Sequence, residues 1–266
     1  MSYITANGLQ IWYERKGEGE PLLFISGSGS DLRNKPGPLD GPLARQFDMV
    51  AYDQRGLGQS DKPNGPYSMA DYADDAAGLL DELDWATANV VGVSFGGMVA
   101  QELAIRFPDR IRRLVLCCTS PGGQGGASYP LHSLIGMDAA AQARQMIPIS
   151  DIRHDAIWQA ANPDAYKMMF DLRTSDPFAD EPRRAMGAEL QLLARKDLDT
   201  WDRLPSITAP TLICGGLYDG IALPETQQRM ADRIPMARLR MFEGGHMFLI
   251  QDRAAFPAIT EFLQAP

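Results

Sequence analysis

Hydrophobic residues along this chain fall into short continuous runs that alternate with longer, helix-like segments. Several of the runs are apolar throughout, as in Leu114-Val115-Leu116-Cys117-Cys118. Continuous runs are typical of parallel strands covered by helices on both faces, because both sides of such a strand are buried. The strand-like runs are Leu9–Glu14, Pro21–Ser26, Phe47–Tyr52, Asn89–Val93, Arg113–Cys118, Thr211–Gly215 and Arg238–Glu243.

Helix-compatible segments lie between many of these runs, at Met69–Trp85, Phe95–Phe107, Pro224–Ile234 and Arg253–Leu263. Strands that alternate with helices along a chain are typical of α/β proteins. The pattern therefore predicts an α/β fold, in which helices flank a mostly parallel central sheet and the crossovers are right-handed.

The alternation stops between residues 121 and 204. A glycine-rich junction, Pro121–Gly126, opens this segment, and no convincing strand follows in it. We therefore expect residues 1–120 and 205–266 to form an α/β core domain and residues 121–204 to form a helical cap, or lid. Prolines at 148, 163, 177 and 182 punctuate the helices predicted there, which are Met137–Ile147, Ser150–Ala161, Asp164–Arg173 and Glu181–Arg195.

Composition and charge narrow the classes of function. A chain of 266 residues with 45% hydrophobic content can bury a sizeable core. A net charge of −9 argues against nucleic acid or an anionic membrane as the main partner, since both select basic patches. No signal peptide is visible, nor an apolar run of about 18 residues. We expect a cytoplasmic protein whose cysteines, Cys117, Cys118 and Cys214, are buried reduced thiols rather than metal ligands.

One junction between a strand and a helix has the pattern of a nucleophile elbow. The apolar run at Val90–Val93 leads into Gly92-x-Ser94-x-Gly96, and a helical segment follows. Glycines two positions before and after the serine relieve the crowding that side chains would cause in so tight a turn. The start of the helix would also place backbone N–H groups near the hydroxyl. Ser94 is therefore the candidate nucleophile.

A serine hydroxyl is a weak nucleophile and needs a base that a third group orients. His132 and His154 fall inside the predicted cap, whereas His246 follows the last strand in the loop Gly244-Gly245-His246. Sites in open α/β sheets collect at the carboxyl ends of strands, which favours His246 as the base.

The same argument selects the acid. Asp219 lies in the loop that follows the strand Thr211–Gly215. Asp199 and Asp202 also lie between Ser94 and His246 in sequence, but they belong to what looks like the last helix of the cap. We therefore predict that Asp219 orients His246.

Acyl transfer further requires N–H donors for the oxyanion of the tetrahedral intermediate. The first predicted donor is the backbone N–H of Phe95, the residue after the nucleophile. The second is the N–H of Ser28, in the small-residue loop Ser26-Gly27-Ser28-Gly29-Ser30 that follows a strand. The glycine-bearing loop Asp53–Ser60 lacks a complete phosphate-binding motif, and we assign it a structural role in which Asp53 and Arg55 pin the loop.

Together these motifs resemble the α/β-hydrolase family across essentially the full chain, including the order Ser94, Asp219, His246. Within that family the chain is similar to the branch of 3-oxoadipate enol-lactonases and small esterases. The narrower similarity rests on Ser-Gly-Ser-Asp-Leu-Arg at 28–33 and Gly-Pro-Tyr-Ser at 65–68. Gly27 departs from that branch, which typically carries asparagine at this place.

The resemblance implies hydrolysis of a small carboxylic ester or lactone through an acyl-enzyme on Ser94, with no cofactor and no metal. The expected partner is a small-molecule substrate, and a homodimer is possible. Two alternatives stay open: hydrolysis of a carbon–carbon bond in a diketone-like acid, and a small-molecule receptor of the same fold with low turnover. Candidate substrate-pocket residues are Arg33, as a partner for a substrate carboxylate, and Tyr129, Met137, Trp158 and Met169 of the cap.

Overall fold

An eight-stranded sheet forms the centre of the protein, in a computed structural model that describes residues 2–265. The strands follow one another across the sheet in the order β1-β2-β4-β3-β5-β6-β7-β8. β2 pairs antiparallel with both β1 and β4, and every other neighbouring pair is parallel. The strands are β1 Ser2–Ala6, β2 Leu9–Lys16, β3 Pro21–Ile25, β4 Asp48–Tyr52, β5 Ala88–Val93, β6 Ile111–Cys117, β7 Thr211–Gly216 and β8 Ala237–Phe242. The predicted α/β class with a mostly parallel sheet is confirmed.

The strand that the hydrophobic pattern missed is β1. It lies at the edge of the sheet, and three of its five residues are exposed. An exposed edge strand needs no continuous apolar run, so its sequence, Ser-Tyr-Ile-Thr-Ala, carries little signal.

Helices cover both faces of the sheet. Neighbouring residues of β5 face opposite layers: Val90 packs in the core beneath α1 and α2, whereas Val91 packs in the core beneath α9. Both residues are fully buried, which explains why the run is apolar without alternation. The helices are α1 Met69–Glu82, α2 Phe95–Arg106, α3 Ala139–Ser150, α4 Ala156–Ala161, α5 Pro163–Thr174, α6 Arg184–Ala194, α7 Pro224–Arg233, α8 Phe248–Gln251 and α9 Ala255–Gln264.

Residues 121–204, called the cap segment below, separate β6 from β7. Helices α3 to α6 lie in it, and its single β-bridge in the described chain joins Gly122 to Asp199. The prediction that Pro148 ends a helix is wrong, because α3 continues through Pro148 to Ser150. This proline lies in the last turn of α3, where its missing N–H removes only one hydrogen bond of the helix.

Two further properties bear on the sequence-based expectations. Cys117, Cys118 and Cys214 are buried and unbridged. In the described part of the chain, no helix has both the length and the hydrophobicity needed to cross a bilayer.

Candidate active site

Ser94 occupies the sharp turn between β5 and α2, with φ of 55° and ψ of −115°. A positive φ is unusual for a residue with a side chain and is maintained only where the surrounding structure holds it. A Cβ atom on Gly96 would lie 2.0 Å from the Ile25 carbonyl oxygen, and one on Gly92 would lie 2.4 Å from the Gly96 carbonyl oxygen. Only glycine fits at these two positions, which explains the Gly-x-Ser-x-Gly spacing.

The structure brings Ser94, His246 and Asp219 together. Nε2 of His246 lies 3.0 Å from Ser94 Oγ, and Nδ1 of His246 lies 2.9 Å from Asp219 Oδ2. The other oxygen of Asp219 accepts the N–H groups of Ile221 and Ala222 at 2.8 and 3.0 Å. Asp219 is completely buried, so its carboxylate is held in one orientation. With the Nδ1 proton bonded to Asp219, Nε2 is free to accept the Ser94 proton.

Contacts with the cap segment place the histidine loop. The His246 N–H donates to the carbonyl oxygen of Ser150, the last residue of α3, at 2.6 Å. A Cβ atom on Gly245 would lie 2.1 Å from the same oxygen, so glycine is required for this approach. Gln251 Oε1 accepts the Gly245 N–H at 2.8 Å. The position of the candidate base therefore depends on a contact with the end of a helix in the cap segment. Local sequence patterns could not predict this contact.

The two predicted oxyanion donors belong to the residue after Ser94 and to the loop that contains Gly27 and Ser28. Phe95 begins α2 directly after it, and Gly27 in the facing loop comes so close that an added Cβ would be 3.5 Å from the Ser94 Cβ. Neither the Phe95 N–H nor the Ser28 N–H has an acceptor among residues 2–265. Both donors are therefore available to a ligand oxygen.

Two glutamines that the sequence analysis did not single out hold the loop that carries Ser28. Gln54 donates to the Ser26 carbonyl oxygen at 2.9 Å, and Gln191 of α6 accepts the Gly29 N–H at 2.8 Å. Both glutamines are fully buried. The loop is thus fixed from the core on one side and from the cap segment on the other.

A pairing of Arg33 with a substrate carboxylate stays a prediction, but its guanidinium already has carboxylate partners within the chain. Its guanidinium donates to both oxygens of Asp31, at 2.9 and 2.7 Å, and forms a second bidentate pair with Glu181. The ring of Phe178 lies 3.6 Å beneath it. Through its contacts with Glu181 and Phe178, Arg33 ties the loop after β3 to the cap segment.

Tyr129 and Met137, two of the other candidate pocket residues, pack on the apolar cluster of Leu131, Leu134, Met146 and Ile221. This cluster adjoins the loop of the candidate acid, because the Tyr129 N–H donates to the Ile221 carbonyl oxygen at 2.8 Å. Trp158 instead packs against the ring of His154, and Met169 is half-buried on α5. A role for these four residues in a substrate pocket stays a prediction.

The Asp53–Ser60 loop makes the internal contacts that were expected of it. Asp53 accepts the N–H groups of Leu32 and Gln59 at 2.8 and 2.9 Å, and its burial raises the pKa of its carboxyl to about 6. Arg55 forms a buried ion pair with Asp75 of α1, with both nitrogen–oxygen distances at 2.6 Å. The loop therefore braces the segment that follows β3.

A family model described as alpha/beta hydrolase fold matches residues 20–252. Two curated relatives are the poly(3-hydroxyalkanoate) depolymerase of Ectopseudomonas oleovorans and a 2-hydroxymuconate semialdehyde hydrolase of Pseudomonas putida. The first is 32% identical over 92% of this chain and 84% of the relative, and the second is 30% identical over 97% and 92%.

Among solved structures, the enol-lactonase from Burkholderia xenovorans LB400 is similar, with a TM-score of 0.81 and 28% identity. The alignment covers 99% of this chain and 100% of the enol-lactonase. The family match and these relatives agree, so the chain belongs to the α/β-hydrolase family, and the resemblance noted in the sequence is confirmed.

Proposed function

We propose that this α/β hydrolase cleaves a small carboxylic ester or lactone through an acyl-enzyme on Ser94. The observation that carries the proposal is the unbroken hydrogen-bonded series from Ser94 through His246 to Asp219, beside two N–H groups without acceptors. A nucleophile, a base, a group that orients the base and an oxyanion site are the four parts that acyl transfer requires.

In the first step, His246 Nε2 takes the proton of Ser94 as Oγ attacks the substrate carbonyl carbon. The negative charge that develops on the carbonyl oxygen is stabilised by the N–H groups of Phe95 and Ser28. The imidazolium is stabilised by Asp219, whose other oxygen is already bound by two N–H groups. The imidazolium then protonates the leaving alkoxide, and an acyl-enzyme remains.

In the second step, His246 removes a proton from water as the water attacks the acyl carbon. Collapse of the second tetrahedral intermediate returns the proton to Ser94 Oγ and releases a carboxylic acid. A lactone differs only in that the alcohol released in the first step stays attached to the acyl group. The similarity to an enol-lactonase supports this class of substrate.

A second candidate function is hydrolysis of a carbon–carbon bond in a diketone-like acid. It is favoured by the 30% identity to a protein named 2-hydroxymuconate semialdehyde hydrolase. Such a reaction can use the same serine, histidine and aspartate, but its leaving group is a carbon atom that needs protonation. The two functions differ in substrate and not in the three residues, so substrate tests separate them.

The test is hydrolysis of p-nitrophenyl esters of graded chain length, enol-lactones, lactones and a dienoic diketone-like acid by the wild type and Ser94→Ala. We expect turnover of at least one ester or lactone by the wild type and a loss of several orders of magnitude in Ser94→Ala. The matched control is Ser133→Ala, which removes an exposed serine hydroxyl in the cap segment. Turnover of the diketone-like acid alone would favour the second candidate. Ligand binding without turnover by the wild type would instead indicate a receptor.

A further inference from the structure

Arg195 is a buried cation whose charge no carboxylate among residues 2–265 neutralises. It directly follows α6 and is 7% exposed. Its Nη2 donates to the hydroxyl of Ser128 and to the carbonyl oxygen of Tyr129, whereas its Nη1 is buried without a partner among residues 2–265. Burial lowers the pKa of Arg195 to about 10, which leaves it protonated at neutral pH. Burying an unpaired charge is costly, so the surroundings of Arg195 favour the binding of an anion there.

Other arginines at the boundary between core and cap show the contrast. Arg33 binds Asp31 and Glu181, and Arg184 binds Asp31 and Asp176. Each of these two guanidinium groups contacts two carboxylates from the chain itself. Among residues 2–265, Arg195 contacts only neutral oxygens, which leaves its guanidinium with capacity for an external acid.

A small cavity adjoins Arg195. It has a volume of about 60 Å³, and it is lined by basic and neutral residues that include Lys196, His132 and Ser120. Neither aspartate nor glutamate lines it within the described chain. One water needs about 10–15 Å³ on the same measure, so the cavity has room for a group of a few non-hydrogen atoms. Its size and charge fit a carboxylate group rather than a whole substrate.

The cavity lies close to the nucleophile elbow. Met98 of α2 is one of its lining residues, and the Met98 N–H donates to the carbonyl oxygen of Ser94 at 3.3 Å. The cavity therefore begins about one helical turn, or about 5 Å, along α2 from Ser94. Its lining also includes Ser120, which follows β6 and accepts the Ser128 N–H at 2.9 Å.

We propose that this cavity is a carboxylate-binding site, in which Arg195 Nη1 donates to a carboxylate oxygen and Lys196 adds positive charge. The carboxylate has two possible sources: a second acid group on the substrate, or a free small carboxylic acid. The first possibility, that the carboxylate belongs to the substrate, rests on the proposed hydrolase function. It narrows the substrate class to monoesters of dicarboxylic acids and to lactones that carry a carboxylate.

The first arm of the test compares two substrates of matched length, p-nitrophenyl hydrogen glutarate and p-nitrophenyl pentanoate. We expect the wild type to prefer the anionic ester, and Arg195→Met to lower kcat/KM for that ester at least about tenfold, mainly through KM, with the neutral ester nearly unchanged. Arg195→Lys keeps the charge but lacks the planar guanidinium fork. Its kcat/KM for the anionic ester should therefore lie between those of the wild type and Arg195→Met. Arg144→Met, which removes an exposed arginine of the cap segment, is the matched control.

The second arm measures thermal unfolding in sodium acetate at constant ionic strength. A saturable rise of Tm in the wild type that Arg195→Met and Arg195→Lys reduce supports the site with a free carboxylate as its source. Acetate binding can be read on the wild type and Arg195→Lys if Arg195→Met does not fold. The site is overturned if no variant changes the substrate preference and acetate gives no saturable rise. Retained Ser94-dependent hydrolysis of the neutral ester would then leave the proposed function intact.

Discussion

Gln191 on α6 and Gly29 in the loop after β3 are 162 residues apart in sequence and are joined by a 2.8 Å hydrogen bond. The Gly29 N–H is the donor and the amide oxygen of Gln191 is the acceptor. Ser28, the residue before Gly29, supplies one of the two proposed oxyanion donors. A cap helix therefore helps to position the proposed catalytic machinery.

Substitution of Gln191 tests this positioning role. We expect Gln191→Leu to lower kcat about 10- to 100-fold with little change in KM, because a misplaced Ser28 N–H stabilises the oxyanion less well; complete loss of such a donor costs about 10²–10³. The measurement is steady-state kinetics with p-nitrophenyl pentanoate. Gln228→Leu, which removes an exposed glutamine of α7, should keep the wild-type kcat. A Gln191→Leu protein that is less stable but has the wild-type kcat would show that the bond is only structural.

Asp31 makes the stability of the protein sensitive to acid. Burial opposes its ionisation, but hydrogen bonds from Arg33 and Arg184 outweigh that effect and lower the pKa of its carboxyl to about 2, from an ordinary value of 3.8. A pKa that is lower in the folded state stabilises the fold above the unfolded value, and this stabilisation is lost as pH falls from about 4 to about 2.

Asp31→Asn should therefore lower the free energy of unfolding by roughly 2 kcal/mol at neutral pH, and by progressively less as pH falls through this window. Urea unfolding of the wild type and the variant at a series of pH values measures the difference. Asp164→Asn, at an exposed position at the start of α5, provides the baseline. A difference between Asp31→Asn and the wild type that does not shrink on acidification would contradict the assigned ion pairs.

Gly96 tests the packing of the elbow. We expect Gly96→Ala to lower the free energy of unfolding by about 3 kcal/mol or more, because the added Cβ would lie 2.0 Å from the Ile25 carbonyl oxygen. Gly136→Ala is the control, since its Cβ would meet no atom within 4 Å and only its positive φ opposes the change. That strain costs about 1 kcal/mol. Equal losses of stability in the two variants would show that the close packing at Gly96 is not decisive.

Substitution of Arg33 tests whether its ion pairs are structural or whether it also contacts the substrate. Because Asp31 and Glu181 already bind it, Arg33→Met should destabilise the protein without changing the preference between the glutarate and pentanoate esters. The same kinetic comparison that tests Arg195 measures this preference. A selective loss of kcat/KM for the anionic ester in Arg33→Met would support a contact between Arg33 and the substrate carboxylate.

Local sequence patterns were sufficient to predict much of the fold. Strands such as β5 and β6 are buried on both faces and are continuously apolar, and the Gly-x-Ser-x-Gly turn is imposed by contacts over a few residues. The sequence order and the loops after strands also selected Asp219 and His246, because the carboxyl ends of parallel strands meet at one edge of a sheet.

Some of the remaining features depend on partners that are distant in the chain, and others on exposure or on position within a helix. Arg33 was considered for a substrate carboxylate because it follows the predicted oxyanion loop, and nothing near it in sequence indicates its ion pair with Glu181, which lies 148 residues away. Gln191 has no motif, and its importance follows only from its bond to Gly29. The exposed edge strand β1 lacks a hydrophobic pattern, and Pro148 is tolerated because it lies in the last turn of α3.

The proposal that Ser94 is the nucleophile is tested most directly by labelling with a fluorophosphonate probe, which forms a stable adduct with an activated serine. Peptide mass spectrometry should place one adduct per chain on Ser94, with ester hydrolysis lost in proportion to labelling and no adduct on Ser94→Ala. An adduct on a different residue that abolishes activity, or full hydrolytic activity after complete labelling of Ser94, would contradict the proposed nucleophile.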